Sequence, residues 1–283
     1  MNANAGNFGN GGRGSQALTV VAVLVMAFGA VGCAKLKARD LLNKGVASFK
    51  DGKYDESIES FKQAKDLDPT LLNARLYLAT AYATEYIPGA PSDDNIRVGQ
   101  QAISEFQDVL SVDANNTSAI DGIGSILYNM AGTPFSPEGY AKSKEYHEKH
   151  IALKPDDPEP YYWVGVIDWT LSFRANIEMR AGYNQAHLAH QVKDTEPLPT
   201  VAREEYVRKY GSMIDEGIES MKHAIELRQD YDDAMAYLNL LYRRKADAVA
   251  SPSERDDLLL MADYLVDRIK EIKWKRAEQP RQP

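Results

Sequence analysis

The chain has 283 residues, and its 33 Lys+Arg against 41 Asp+Glu give a formal charge of −8, which argues against a nucleic-acid partner held by broad phosphate neutralisation. Hydrophobic residues at 44% and charged residues at 26%, with 19 Gly and 13 Pro, argue against collagen, wholesale disorder and a polytopic membrane protein, and leave enough apolar material for a packed core. The single cysteine, Cys33, rules out an intrachain disulfide framework and a Cys-based zinc cage.

Residues 1–16 are rich in Asn and Gly, with Arg13 their one charged side chain, and lead into the apolar run Ala17–Val31. That run is shorter than the roughly 20 residues of a membrane-spanning helix and fits the roughly 7–15 of a secretory signal. Small residues then precede the cysteine. Ala30-Val31-Gly32-Cys33 resembles the lipobox of bacterial lipoproteins, with Ala30 where Leu is commoner. The resemblance implies a signal peptide over 1–32, acyl chains on Cys33 and a short lipidated tether over 33–37. Several acyl chains hold a protein at a bilayer far more firmly than one. Ala34 is not the Asp associated with inner-membrane retention, so the resemblance implies an outer-membrane anchor facing the periplasm. A signal-anchor helix, or ordinary cleavage with a structural cysteine, are the alternatives.

Past the tether one spacing recurs four times: a small or near-small residue, a second residue seven later, and a helix-stop position five beyond that. The instances are Ser57/Ala64/Pro69, Ala102/Val109/Ala114, Ser143/His150/Pro155 and Gly217/Ala224/Gln229. Ile58, Phe61, Ala64 and Leu67 fall at steps of three, one helical face. Upstream of each instance a helical segment carries a small residue near its middle: Gly45, Ala79, Gly124 and Gly165, with Asn239 in a weaker fifth copy. Two antiparallel helices approach closely where one side chain is short and a large neighbour fills the space beside it. The pattern resembles the tetratricopeptide repeat, a helix-turn-helix unit of about 34 residues. The resemblance implies an all-α, right-handed helical-hairpin solenoid over 38–245, with units at about 38–71, 72–116, 117–157 and 158–231 and the start of a fifth.

Distances between helix-stop positions imply insertions of about 11, 7 and 40 residues inside successive units. The first two are turn-rich, around Pro88-Gly89 and Pro134 to Gly139. The third, about 171–210, is amphipathic with a break at Pro197 and Pro199, so the upstream helix is expected to run past Trp169 and a long second helix to cover about Thr200 to Leu227. A capping helix is expected over 246–276, with Leu258, Leu259, Met261, Ala262, Leu265 and Ile269 on its apolar face and Trp274 laid on the preceding unit; 277–283 is expected to be a disordered tail. The cations around Trp274 complement a helix C-terminus, with contact to anionic head groups as the sharper alternative.

No nucleophile elbow, phosphate-cradling glycine loop or paired-carboxylate signature stands in the mature chain, so the expectation is a protein that is not an enzyme and takes no cofactor. The weak metal candidates are the i, i+3 pairs His147/His150 and His187/His190, each lacking a third ligand in its motif. His147 and His150 also fall on repeat-packing positions. The resemblance places a concave groove on the first helices, lined by Asp121, Ser125 and Tyr128 around Gly124, by Tyr162, Val166 and Trp169 around Gly165, and by Leu76, Thr80 and Ala83 around Ala79. Tyr128, Tyr162 and Trp169 are the expected anchors for a protein or peptide partner, against the alternative that they pack beneath the insertion. Leu42, Val46, Tyr77, Ser118 and Gly122 occupy the positions of a charged carboxylate clamp and cannot form one. The expectation is a lipid-anchored scaffold or adaptor. The alternatives are a structural subunit of a secretion or envelope-assembly complex, and a metal- or ligand-binding protein using the 171–210 insertion.

Overall fold

The computed structural model describes the backbone of residues 13–278 and the side chains of 32–278. Among the residues with described side chains, no helix is long and apolar enough to cross a membrane. The run Ala17–Val31 lies outside those side chains, as does most of the expected signal segment. The described residues form ten helices and no strand beyond an isolated bridge between Gly132 and Phe135. They fall into two compact units, one ending at Glu85 and one beginning at Tyr86.

The first unit holds α1 (Arg13–Lys50), α2 (Tyr54–Leu67) and α3 (Leu72–Glu85). α1 turns into α2 through Asp51-Gly52-Lys53, where Gly52 adopts φ +74°, a left-handed conformation that glycine takes without steric cost. The Phe61 ring of α2 is 1% exposed and lies against Gly45 of α1, where a Cβ would stand 2.4 Å from a ring carbon. α2 ends at Asp68, whose carboxylate accepts from the backbone N–H and hydroxyl of Thr70; those bonds lower its pKa.

The second unit holds α4 (Asp93–Val112), α5 (Thr117–Ala131), α6 (Pro137–Leu153), α7 (Pro158–Ala186), α8 (Thr200–Leu227), α9 (Asp232–Ala248) and α10 (Pro252–Glu278). Starts are set by local chemistry. Ser92, Asn116, Ser136 and Asp157 each accept from a backbone N–H in the first turn, and proline opens α6 and α7, where its missing N–H costs nothing. Within this unit successive helices pack on one another, and α7 also meets α9. The main core runs through α7 to α10, with Tyr206, Ile214, Met221, Leu241 and Ala262 fully enclosed.

α7 and α8 are the longest helices of this unit, 29 and 28 residues. Their far ends are fastened by a buried polar network. Arg180 Nη2 lies 3.3 Å from Asp247 Oδ1, Arg244 Nη1 lies 3.2 Å from Asp247 Oδ2, and Asn176 donates to the same carboxylate. Arg180 also donates to Asn176 Oδ1 and to the carbonyl of Lys193 in the connecting loop. Tyr206, fully buried, donates to the carbonyl of Ser172 at 2.9 Å. Burial raises the Asp247 pKa while its arginines pull it down.

Two expectations for the last helix are corrected here. Trp274 is 61% exposed and Met261 42%, because the face that meets α9 is set by Leu258, Ala262, Leu265 and Ile272. The helix extends through Glu278, so Ala277 and Glu278 are ordered; 279–283 lie outside the described residues.

Arg180→Ala leaves a buried carboxylate short of a partner and is expected to cost about 3 kcal/mol, read as a lower melting temperature by circular dichroism.

Candidate functional site

Six of the nine expected groove residues lie on α5 and α7, the other three on α3, and the structure joins the aromatic members of the six into a ladder. Tyr128 meets Trp163 edge-on at 5.3 Å and Tyr140 at 5.2 Å. Tyr162 contacts Trp163, Tyr231 and Tyr237 at 5.2–5.7 Å. Trp169 stacks on Phe173 at 4.9 Å and meets Tyr237 edge-on at 5.3 Å. Tyr140 and Tyr231 are buried and the other rings half-buried, and Tyr231, at the N-cap of α9, and Tyr237 within it pack against Tyr162. Burial raises the Tyr162 phenol pKa, with neighbouring tyrosines adding to the shift.

Val166 does not line a groove. It is 1% exposed and belongs to the core, because α9 packs on α7 and encloses that position. Asp121 is half-buried and directed at His150, its Oδ1 2.7 Å from Nδ1, while Asp157 stands 3.5 Å from Nε2; desolvation raises the Asp121 pKa. Ser125, one turn along α5 from Asp121, is half-buried.

His147 is fully enclosed, its ring stacked on Trp163 at 5.6 Å and 10°, and neither ring nitrogen has a hydrogen-bond partner. The ring fills the space left by Gly124, where a Cβ would come within 2.8 Å. Desolvation, with a contribution from His150, pushes its pKa down to about 4. On the insertion, His187 is exposed and stacked on Tyr183 at 4.1 Å, and His190 is exposed at the loop. Among the described residues no group of three or more His, Cys, Asp or Glu could hold a metal ion. A second buried acid, Asp168 of α7, sits 2.8 Å from Lys144, which also reaches Glu216 at 2.9 Å. Burial raises Asp168 to about 7 against the pull of Lys144.

The first unit presents a different surface. A recess of about 340 Å³ is lined by Val46, Phe49 and Lys50 of α1, Phe61 of α2, and Tyr77 and Thr80 of α3. Tyr77 is 41% exposed and stacks on the buried Phe61 at 5.8 Å. Its walls are apolar with one cation at the rim, a shape that accepts an apolar side chain of an extended peptide. Thr80 is one of the expected lining residues; Val46 and Tyr77 stand at the clamp positions that lack charge. Their apolar character was the signal for a pocket of another kind. On the insertion an open recess of about 390 Å³ lies on Met179, Gly182, Tyr183, His187, Val201, Ala202 and Glu205.

Residues 41–71 match the tetratricopeptide repeat family. No curated protein sequence matches. Among solved structures, MamA aligns over 87% of this chain and 97% of its own at 15% identity and a TM-score of 0.53. MamA from Desulfovibrio magneticus RS-1, residue 41 to the end, covers 86% and 97% at 16% identity and 0.54. YrrB, described as a TPR protein with an unusual peptide-binding site, covers 82% and 90% at 13% identity and 0.50. The fold is a tetratricopeptide-type helical solenoid.

Two measurements follow. Tyr162→Ala with Trp169→Ala is expected to destabilise the solenoid by about 2–4 kcal/mol in chemical denaturation, whereas Tyr77→Ala costs under about 1 kcal/mol. For His147, the unfolded chain takes a proton near 6.5 and the folded chain only near 4, so its contribution is full above about pH 6.5 and is lost as pH falls toward 4. His147→Phe, which keeps the stacking and removes the titration, should lessen the stability loss between pH 7 and 4.5 by about 2 kcal/mol.

Proposed function

We propose that this chain is a lipid-anchored, non-catalytic tetratricopeptide scaffold that presents protein or peptide segments at the periplasmic face of a bacterial outer membrane. The observation that carries the binding reading is the recess between α1 and α3, floored by Phe61 and edged by the exposed Tyr77. Aromatic residues that are preorganised and still open to solvent contribute disproportionately to interface energy. The solenoid of YrrB, described as binding peptide, supports a stacked-hairpin surface of this class being used for peptides. The aromatic ladder on α5, α7 and α9 serves as the stiff backing of the second unit, with Tyr128, Tyr162 and Trp169 holding it together.

The anchor reading rests on Cys33, an exposed free thiol one glycine beyond the apolar run. Ala38 is the first buried residue among those with described side chains, so cleavage before Cys33 removes none of the packing described for the unit. The lipid would hold α1 at the bilayer, with the α1–α3 recess presented a short tether away.

The test uses the full chain in its membranes with in-cell crosslinking and mass spectrometry. Tyr77→Ala, and Val46→Trp to fill the recess, are each expected to lower partner recovery at least about tenfold, the effect of losing about 1.4 kcal/mol, with unchanged helicity. Cys33→Ser is expected to remove the acyl mass and membrane retention. Unchanged recovery in both recess variants overturns the binding site, and a wild-type Cys33 without added lipid mass overturns the anchor.

A further inference from the structure

α10 buries Leu258, Ala262, Leu265 and Ile272 against α9, yet its opposite side carries three large apolar side chains among its carboxylates: Leu260 is 67% exposed, Tyr264 64% and Trp274 61%. Along that outer side Leu260, Tyr264, Asp267, Glu271 and Trp274 alternate steps of four and three, the spacing of a two-helix seam. A helix with one core face needs no second stripe, and three large apolar side chains held in water on one helix mark an interaction surface.

Charge identifies the occupant. Residues 252–267 carry five carboxylates against Arg255, and residues 268–278 carry five cations against Glu271 and Glu278. Arg276 pairs with Asp230 and Asp232 at the start of α9, and the exposed Lys273 reaches within 4.0 Å of Asp232. Arg268, Lys270 and Lys275 pair along α10 itself, at exposed positions where such pairs contribute little and exchange readily for others. An anionic membrane would be repelled by the acidic half. The surface that complements an acidic half followed by a basic half is the same helix running the other way.

We propose that α10 is the seam of a homodimer, with the α10 helices of two copies of this chain packed antiparallel about a two-fold axis near Asp267. Leu260 of one copy then faces Trp274 of the other; the two Asp267 carboxylates that meet at the axis each lie within a turn of the other copy's Lys270, and Glu271 falls opposite Asp263, each already paired with a cation of its own copy. The contact is isologous and closes on itself, so it gives a dimer and no fibre. At 27 residues the helix is about 40 Å long, enough for several turns of seam.

The experiment co-expresses two differently tagged full-length copies, both Cys33→Ser so that acyl chains contribute nothing, and captures one from detergent extracts while probing for the other. Wild-type copies are expected to co-purify, and Leu260→Asp with Trp274→Asp to reduce this at least about tenfold with helicity retained. Asp256→Lys with Asp267→Lys in both copies, or Lys270→Glu with Lys275→Glu in both, should each reduce it; one copy of each kind should restore it. Restoration requires that both variants fold. Wild-type copies that do not co-purify, pairing indifferent to these substitutions, or a mixed pair that fails to recover would overturn the proposal.

Discussion

The interlock of a short side chain on one helix with a bulky one on the next governs this architecture. At Gly45, Gly122, Gly124 and Gly165 an added Cβ would stand 2.4–2.8 Å from Phe61, Phe106, His147 or Met221, respectively. No real Cβ tolerates such distances, so each glycine fixes how near its two helices lie, and each large partner fixes their register. Close-packed interiors punish a methylene in either direction. The same device recurs in both compact units with chemically different fillers, an aromatic ring, an imidazole and a thioether. Volume and shape are thus the constraint, and polarity is adjusted around them.

His147 illustrates that adjustment. The imidazole occupies a position that an aromatic hydrocarbon would fill, and with both nitrogens unpartnered it is tolerated because it stays neutral and stacks on Trp163. Three residues on, His150 sits between Asp121 and Asp157 and is held by the Asp121 carboxylate, 2.7 Å from its Nδ1. Two histidines one turn apart on α6 therefore do opposite jobs, one packing and one bridging. Their i, i+3 spacing, which alone resembles half a metal site, reflects two neighbouring slots in a repeat.

The solenoid was legible in the chain because small residues recur at fixed intervals, and that recurrence is a direct consequence of the interlock. Surface assignment was less legible. Counting from Gly165 puts Val166 on the first-helix face, but whether that face is open depends on what α9 covers, and α9 brings Tyr231 and Tyr237 across it. Trp274 failed for the converse reason: its helix has two apolar stripes, and composition does not say which one meets α9. The α1–α3 recess was half visible. Val46, Tyr77 and Thr80 had been placed at surface positions, but the depth under Tyr77 comes from Phe61, a residue of another helix that belongs to the core.

The long α7–α8 excursion shows how a repeat protein makes one unit unlike the rest. Extending both helices leaves their far ends without the next hairpin to lean on, and apolar packing there is limited to Tyr206, Leu198 and their neighbours. The buried Arg180–Asp247–Arg244 group supplies the missing tie. A buried ion pair adds little net stability over an apolar replacement, but it enforces partner choice, because any other placement strands a charge. Arg180 also holds the carbonyl of Lys193 and Arg255 holds that of Thr195, so the loop is bound by cations from both its own helix and α10. Specificity of placement, more than raw stability, is what such a network supplies, and it lets an individual feature grow from a repeated frame without loosening it.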